Sequence, residues 1–235
     1  MATDSPAWVK LLLRTLLKLS WSRGTPRIAT APPLDGDVIA DLIPHLEPGD
    51  ALLLGSAASL SHIAVYTGGG RILHSVATEK TMRGFSGSFW DALFRPFRWL
   101  FGEQELTGVI DEGLVEFVER FERHSVIGLR WEGLPLEARL AAIGHARTLV
   151  GKPYDYDFTV GDDEYYCTEI VMEVFERAAG RPPTVEGRPL KIPFLLETLV
   201  VEPISLLSSP DLRPVVANAA AKALESEALA DCRLI

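Results

Sequence analysis

The chain has little cysteine and no excess of positive charge. Its 235 residues include only two cysteines, Cys167 and Cys232, and its formal net charge at pH 7 is −9. So few thiols argue against a disulfide framework and are compatible with a reducing compartment. Proteins that bind nucleic acids generally carry a basic surface, so the acidic balance argues against a nucleic-acid partner.

The chain also lacks an apolar run long enough to cross a bilayer. Residues 8–21 come closest, but Lys10, Arg14 and Lys18 interrupt this leucine-rich stretch every four residues. The interruptions also argue against a secretory signal. Two interpretations remain open: a basic amphipathic helix on a membrane surface, or a helix docked on the protein core. We expect a cytoplasmic protein, which in the first case is peripheral to a membrane.

The most informative segment covers residues 151–180 and has Cys167 near its centre. The apolar residues between 170 and 178 recur at helical spacing, and Gly180 is a natural helix end. Cys167 therefore lies at the start of a helix, where the helix dipole favours the thiolate, which is the form that attacks as a nucleophile. The alternative is a small buried hydrophobic residue, because free cysteine is among the most buried residue types.

A predicted hairpin carries two histidines. Residues 61–66 and 71–76 alternate as strands and are joined by one threonine and three glycines. A two- or four-residue loop would pair His62 with Ser75. A three-residue loop, or one bulge, would pair His62 directly with His74. The register therefore decides whether the two imidazoles meet.

The remaining pattern predicts a mixture of helices and strands. We expect strands at 51–54 and 125–129, helices at 109–121 and 135–150, little regular structure at 181–212, and a closing helix at 213–230. The residues expected to face inward from the helix at 135–150 are Leu136, Leu140, Ile143 and Val150.

An aromatic and arginine-rich segment covers residues 82–101. Three interpretations are open: a lid over an apolar substrate, a loop that contacts a membrane, or aromatic side chains packed on the domain.

Cysteine and histidine together indicate thiol chemistry. A thiol hydrolase needs a nucleophile, a base and a group that orients the base. Cys167, His62 and His74 supply these parts, because a second histidine can hold the tautomer of the first. Backbone N–H groups at the helix start could stabilise an oxyanion. Three tyrosines are candidates for the walls or hydrogen-bond donors of a substrate site: Tyr66, Tyr154 and Tyr166.

The same two histidines and cysteine could instead bind zinc. The chain has no CxxC, no HExxH and no other close pair of ligands. We therefore expect no metal and no other cofactor, with zinc as the alternative.

Several motifs together resemble a known family. Pro48-Gly49-Asp50 precedes an apolar strand, SHIAV follows at 61–65, and GKPYDYDF at 151–158 is followed by YCTEIV at 166–171. This set resembles the permuted papain-like amidases of the NlpC superfamily, of which the YiiX and YaeF group is most similar. The stretch SHIAVYTGGGRILH also resembles the two-histidine hairpin of lecithin retinol acyltransferase-like enzymes.

The resemblance implies an α+β fold, circularly permuted and papain-like, in which an antiparallel sheet or small barrel packs on the helix with the cysteine. It implies that Cys167 is the nucleophile, His62 the base and His74 the third polar residue. The expected domains are an N-terminal helix and linker at 1–36, a catalytic domain at 37–212 with an aromatic insertion at 82–106, and a C-terminal helix and tail at 213–235.

The resulting hypothesis is a cysteine hydrolase that cleaves an amide bond in a peptide or aminoacyl substrate through an acyl-thiol intermediate. One alternative is a thiol acyltransferase or thioesterase that acts on acyl lipids, with membrane contact through residues 8–21 and 82–101. Another is a non-catalytic binding module with the same fold, because one fold can host several functions.

Overall fold

The computed structural model describes residues 32–56, 59–76, 108–121, 123–155, 158, 163–192, 196–224 and 233–235. The predicted basic helix at 8–21, the aromatic segment at 82–101 and Cys232 lie outside these residues.

Most of the described strands form one sheet. Seven strands lie in the order β4-β3-β2-β1-β5-β8-β9, and every pair is antiparallel except β8 and β9. Two further strands, β6 and β7, form a separate antiparallel pair. The strands are β1 (Ala51–Ser56), β2 (Ser59–Gly68), β3 (Arg71–Val76), β4 (Gly108–Gly113), β5 (Ser125–Trp131), β6 (Arg188–Ile192), β7 (Leu196–Val200), β8 (Leu212–Ala217) and β9 (Arg233–Leu234).

The first described helix precedes β1, and the other α-helices lie between strands along the chain. The α-helices are α1 (Gly36–Leu42), α2 (Leu114–Arg120), α3 (Leu136–Ala146), α4 (Cys167–Ala179) and α5 (Ala219–Leu224). Three short 3₁₀ helices cover Ile43–His45, Arg147–Leu149 and Pro203–Ser208.

Helix α4 begins and ends as its sequence predicts. The Glu169 carboxylate accepts a hydrogen bond from the backbone N–H of Tyr166 at 3.0 Å. This bond gives the backbone donor of the residue just before the helix a partner. At the other end, Gly180 has a left-handed backbone with φ of 76°, and its N–H bonds to the carbonyl of Glu176 at 2.7 Å. The prediction that Cys167 opens this helix is confirmed.

The sheet separates two apolar cores, because side chains alternate between its faces. Leu53 of β1 and Ile63 of β2 pack on one face with α3 and α4. Leu52 and Ala64, their neighbours, pack on the other face with α1 and α2. The predicted α+β arrangement, an antiparallel sheet packed on the helix with Cys167, is confirmed.

Two segments predicted as helices enter the sheet instead. Residues 108–113 form β4 along the edge of β3, so only the second part of the predicted helix at 109–121 is helical. Residues 212–217 form β8 beside β5, and the closing helix is confined to residues 219–224 among the described residues. In both segments, hydrogen bonds to a neighbouring strand outweigh local helix propensity.

The segment at 181–212 is also more regular than expected, since it contains β6, β7 and a 3₁₀ helix.

Helix α3 turns a different face inward from the one predicted. Leu136 and Leu140 are 44% and 46% exposed, whereas Ile143 is buried as predicted. The buried Arg139 side chain lies on the inward face, where it donates to the carbonyl of Pro48 at 3.0 Å. Val150, also predicted to face inward, is exposed because a 3₁₀ turn precedes it.

Candidate active site

The β2–β3 hairpin brings the two histidines to one face of the sheet. Val65 pairs with Leu73, and a bulge between Tyr66 and Gly68 shifts the register before the turn. Both imidazoles contact Phe117 of α2, so they lie on the face that packs against α1 and α2. The same register continued past Leu73 would set His74 across from Ala64. The expected bulge is present, but the prediction that it would pair His62 directly with His74 is wrong: they are diagonal neighbours, which long side chains can still bridge.

The start of α4 contacts both hairpin strands beyond their last paired residues. Within the described parts of β2 and β3, the ladder runs from the turn only as far as Val65 and Leu73. Beyond that point, the Ser75 hydroxyl donates to the carbonyl of Tyr165 at 2.5 Å, and the backbone N–H of Ile63 acts on the sulfur of Cys167 and favours its anion. The cysteine is therefore fixed beside the residue that follows His62.

The Cys167 thiol is buried and surrounded by donors. Besides the N–H of Ile63, the N–H of Thr168 and that of Cys167 itself act on the sulfur and favour its anion. The buried Thr168 hydroxyl makes no hydrogen bond within the described residues. Burial acts more strongly in the other direction and raises the pKa of the Cys167 thiol. The sequence-based expectation of a thiolate favoured by the helix dipole is therefore not met at rest, and the neutral thiol is favoured.

The two imidazoles contact each other directly. Nε2 of His62 lies 2.7 Å from Nδ1 of His74, and the ring planes are inclined by 83°. Burial lowers the pKa of both histidines, and that of His62 falls well below its ordinary value. Both rings are therefore neutral near pH 7, so His62 has the protonation state that a general base requires.

Glu112 is a site residue that the sequence analysis missed. Its Oε1 lies 2.7 Å from Nε2 of His74, on the other side of that ring from His62. Arg120 donates through Nη2 to both carboxylate oxygens, at 2.5 Å for Oε1. Burial raises the pKa of Glu112, but the hydrogen bonds from His74 and Arg120 together lower it below the ordinary value. The result is a chain of contacts from His62 through His74 and Glu112 to Arg120.

Arg123 is a second charged residue that the sequence analysis missed. It is buried, and its guanidinium lies 5.4 Å from the ring centre of Phe117. Burial lowers the pKa of Arg123 to about 10, and its charge in turn helps to lower the pKa of both His62 and His74. This buried cation therefore opposes protonation of the two imidazoles.

The three predicted substrate-contacting tyrosines lie in two places. Tyr166, next to Cys167, is buried with Tyr154, and its hydroxyl accepts a hydrogen bond from Val201 at 3.4 Å. Tyr66 lies at the hairpin turn, where its hydroxyl accepts from the N–H of Gly70 at 3.1 Å. Tyr66 therefore stabilises the turn, and substrate contact remains a prediction for all three.

Comparison with known proteins identifies the family of this chain. Residues 41–216 match the family described as the permuted papain-like amidase enzyme, YaeF/YiiX, C92 family. The chain belongs to this family. Its fold is accordingly the permuted papain-like fold that the sequence motifs suggested, and membership of an amidase family supports an enzymatic, hydrolytic role.

Individual relatives match shorter parts of the chain. An uncharacterized protein YiiX of Escherichia coli K12 is 34% identical over 68 residues, 28% of this chain and 34% of that protein. An S-adenosylmethionine:tRNA ribosyltransferase-isomerase of Azorhizobium caulinodans is 34% identical over 130 residues, 51% of this chain and 35% of that protein. The chain thus spans about a third of each of these curated relatives. A solved structure, metalloprotein yiiX from Escherichia coli O157:H7, has 21% identity and a TM-score of 0.46, over 73% of this chain and 97% of that one.

Two further observations concern metals and membranes. Among the residues that the structure describes, no group of three or more His, Cys, Asp or Glu side chains is arranged to hold a metal ion. Both ring nitrogens of His74 are engaged, one by His62 and the other by Glu112. No helix in the described part of this amidase-family chain is long and apolar enough to cross a membrane.

Proposed function

We propose that this chain is a cysteine-dependent amidase that cleaves an amide bond in a peptide or aminoacyl substrate. One observation carries most of the argument. The backbone N–H of Ile63 acts on the sulfur of Cys167, and the adjacent His62 contacts His74 at 2.7 Å. Nucleophile, base and orienting group are thus supplied by one helix start and one hairpin, and the proposal requires His62 to reach the thiol during attack.

The proposed reaction has two stages. His62 accepts the thiol proton as the sulfur of Cys167 attacks the amide carbon, and backbone N–H groups in the first turn of α4 bind the developing oxyanion. The carbon–nitrogen bond then breaks, and the leaving amine takes the proton from His62. In the second stage, water attacks the acyl-thiol with His62 again as base, and the acid leaves as the thiol is restored. Because the thiol is neutral at rest, proton removal accompanies attack.

The direct test is to trap the acyl-thiol. A Cys232→Ser background removes the other thiol, and a panel of peptide and aminoacyl amides is incubated with the protein before intact-mass analysis. We expect an acyl adduct on Cys167 that hydroxylamine removes, no adduct in Cys167→Ala, and a loss of kcat/KM of about 10²- to 10⁴-fold in His62→Ala. Full turnover by folded Cys167→Ala would overturn the proposal.

Acyl lipids are a second candidate substrate class. The contact between His62 and His74 supports this candidate, because the same hairpin resembles that of lecithin retinol acyltransferase-like enzymes. We propose membrane contact through residues 8–21 and 82–101 for this case alone. Acyl-lipid vesicles added to the same trapping experiment distinguish the two classes: an acyl adduct from lipid, lost on deletion of residues 1–24, favours lipid, and one from amides only favours amidase action. A biological effect retained by Cys167→Ala would instead indicate a binding module.

A further inference from the structure

We infer that Glu112, held by Arg120, is a positioning residue that fixes the ring protons of His74 and His62 and leaves Nδ1 of His62 as the basic nitrogen. The catalytic role that this inference gives to Glu112 rests on the proposed function. The contacts themselves, from His62 to His74, from His74 to Glu112 and from Glu112 to Arg120, are features of the fold.

The argument starts at the charged end of the chain of contacts. Arg120 binds both oxygens of Glu112, and the pKa of this carboxyl is low, so Glu112 is ionised near pH 7. An ionised carboxylate only accepts hydrogen bonds. The 2.7 Å contact between Glu112 and His74 therefore requires a proton on Nε2 of His74.

The second step follows from the neutrality of the rings. A neutral imidazole carries one proton, so a proton on Nε2 of His74 makes its Nδ1 an acceptor. The 2.7 Å contact with Nε2 of His62 then requires that His62 donate from Nε2. The remaining nitrogen of His62, Nδ1, carries no proton. One carboxylate thus determines the tautomer of two consecutive rings.

The opposite arrangement would leave no base. If His74 carried its proton on Nδ1, it would donate to Nε2 of His62, and the proton of His62 would lie on Nδ1. Both contact distances permit this arrangement, and only the charge of Glu112 selects against it. Two other charges act here: Arg120 forms an ion pair with the ionised Glu112 and opposes protonation of His74, and Arg123 opposes protonation of both rings. When His62 takes the thiol proton, the ionised Glu112 is the one anion in this described chain of contacts that stabilises the new positive charge.

The test measures tautomers first and turnover second. Imidazole ¹⁵N shifts distinguish a protonated from a bare Nδ1 or Nε2, and they require no substrate. In the parent protein at pH 7.5, we expect protons on Nε2 of both His62 and His74. A parent protein with the proton of His62 on Nδ1 would overturn the inference, whatever the activity, so its failure is distinguishable from failure of the proposed function.

Matched variants then connect the tautomer to the reaction. Glu112→Gln is uncharged and can donate as well as accept, so we expect mixed tautomers at both rings and a fall in kcat of about 10²-fold with little change in KM. Arg120→Lys keeps a positive charge near Glu112 and should retain the parent tautomers. Glu119→Gln removes an exposed carboxylate from the same helix and should leave both readouts unchanged. Parent-like tautomers and kcat in folded Glu112→Gln would also overturn the inference.

Discussion

The imidazole of His62 stacks on the ring of Phe117, with ring centres 5.1 Å apart and planes inclined by 28°. The His74 ring lies nearly perpendicular to the ring of the same phenylalanine, with ring centres 4.7 Å apart. Phe117 is fully buried on α2, so one core side chain supports both imidazoles. Helix α2 therefore contributes to the site through packing as well as through the Arg120 ion pair.

The first prediction concerns this support. Phe117→Leu removes the flat surface under both rings, and we expect kcat to fall by about 10-fold or more, because small displacements of a catalytic group are costly. The free energy of unfolding should fall by about 1–3 kcal/mol. Phe175→Leu makes the same change in the other core and should destabilise to a similar extent without the loss of kcat. Steady-state kinetics and urea unfolding measure both effects, and equal kcat in the two variants would contradict the prediction.

The second prediction concerns Gly108, where β4 begins. Its φ is +99°, and an added Cβ would lie 2.0 Å from the backbone oxygen of Lys152, which the N–H of Val109 binds at 2.9 Å. We expect Gly108→Ala to lower the free energy of unfolding by at least about 2 kcal/mol. Because β4 carries Glu112, kcat should fall as well.

Gly144→Ala is the control for this substitution. Gly144 is exposed in the interior of α3, and an added Cβ meets nothing within 4 Å. The change should raise the free energy of unfolding by about 0.5–1 kcal/mol, since alanine favours a helix over glycine. Urea unfolding of the two variants measures both shifts, and a Gly108→Ala protein as stable as the parent would show that the close approach to Lys152 can relax.

The features that the sequence predicts are those set by neighbouring residues. The apolar spacing after Cys167 and the glycine that ends its helix are both local signals, and α4 follows them. The glycine-rich turn between the two histidines likewise predicts the hairpin and its bulge. Because these two local elements carry the cysteine and both histidines, most of the candidate site could be proposed before the fold was known.

The features that the sequence does not predict depend on distant partners. Residues 109–121 have a helical pattern, and only the edge of β3 turns their first part into a strand. That error concealed Glu112, because a strand places it beside Ile72 and within reach of His74, whereas a helix gives no reason to pair them. The inward face of α3 was also missed, since Arg139 is buried there by hydrogen bonds to the residues before β1.

The third prediction concerns the acidic limb of the pH profile. His62 acts as a base only when neutral, and burial lowers its pKa well below the ordinary value of 6.5. The acidic limb of kcat/KM should therefore lie below pH 6.5. Arg123→Gln removes a positive charge that contributes to this shift, so the limb should move to higher pH. A parent limb at or above pH 6.5 would contradict the prediction.

The same shift makes stability depend on pH. As pH falls below 6.5, the unfolded chain binds protons at His62 and His74 that the buried rings do not accept, so the free energy of unfolding should decrease. Urea unfolding between pH 5 and 8 measures this decrease. Replacing both histidines with glutamine should reduce the dependence over that range, which separates their contribution from that of other groups.

The last prediction concerns the thiol. Burial raises the pKa of Cys167, so alkylation by iodoacetamide in a Cys232→Ser background should have a midpoint above the ordinary thiol value of about 8.5. A high midpoint means that His62 removes the proton during attack, so that turnover at neutral pH does not require a resting thiolate. A midpoint well below 8.5 that rises in His62→Ala would instead indicate a preformed thiolate–imidazolium pair and would contradict the neutral resting site derived from burial.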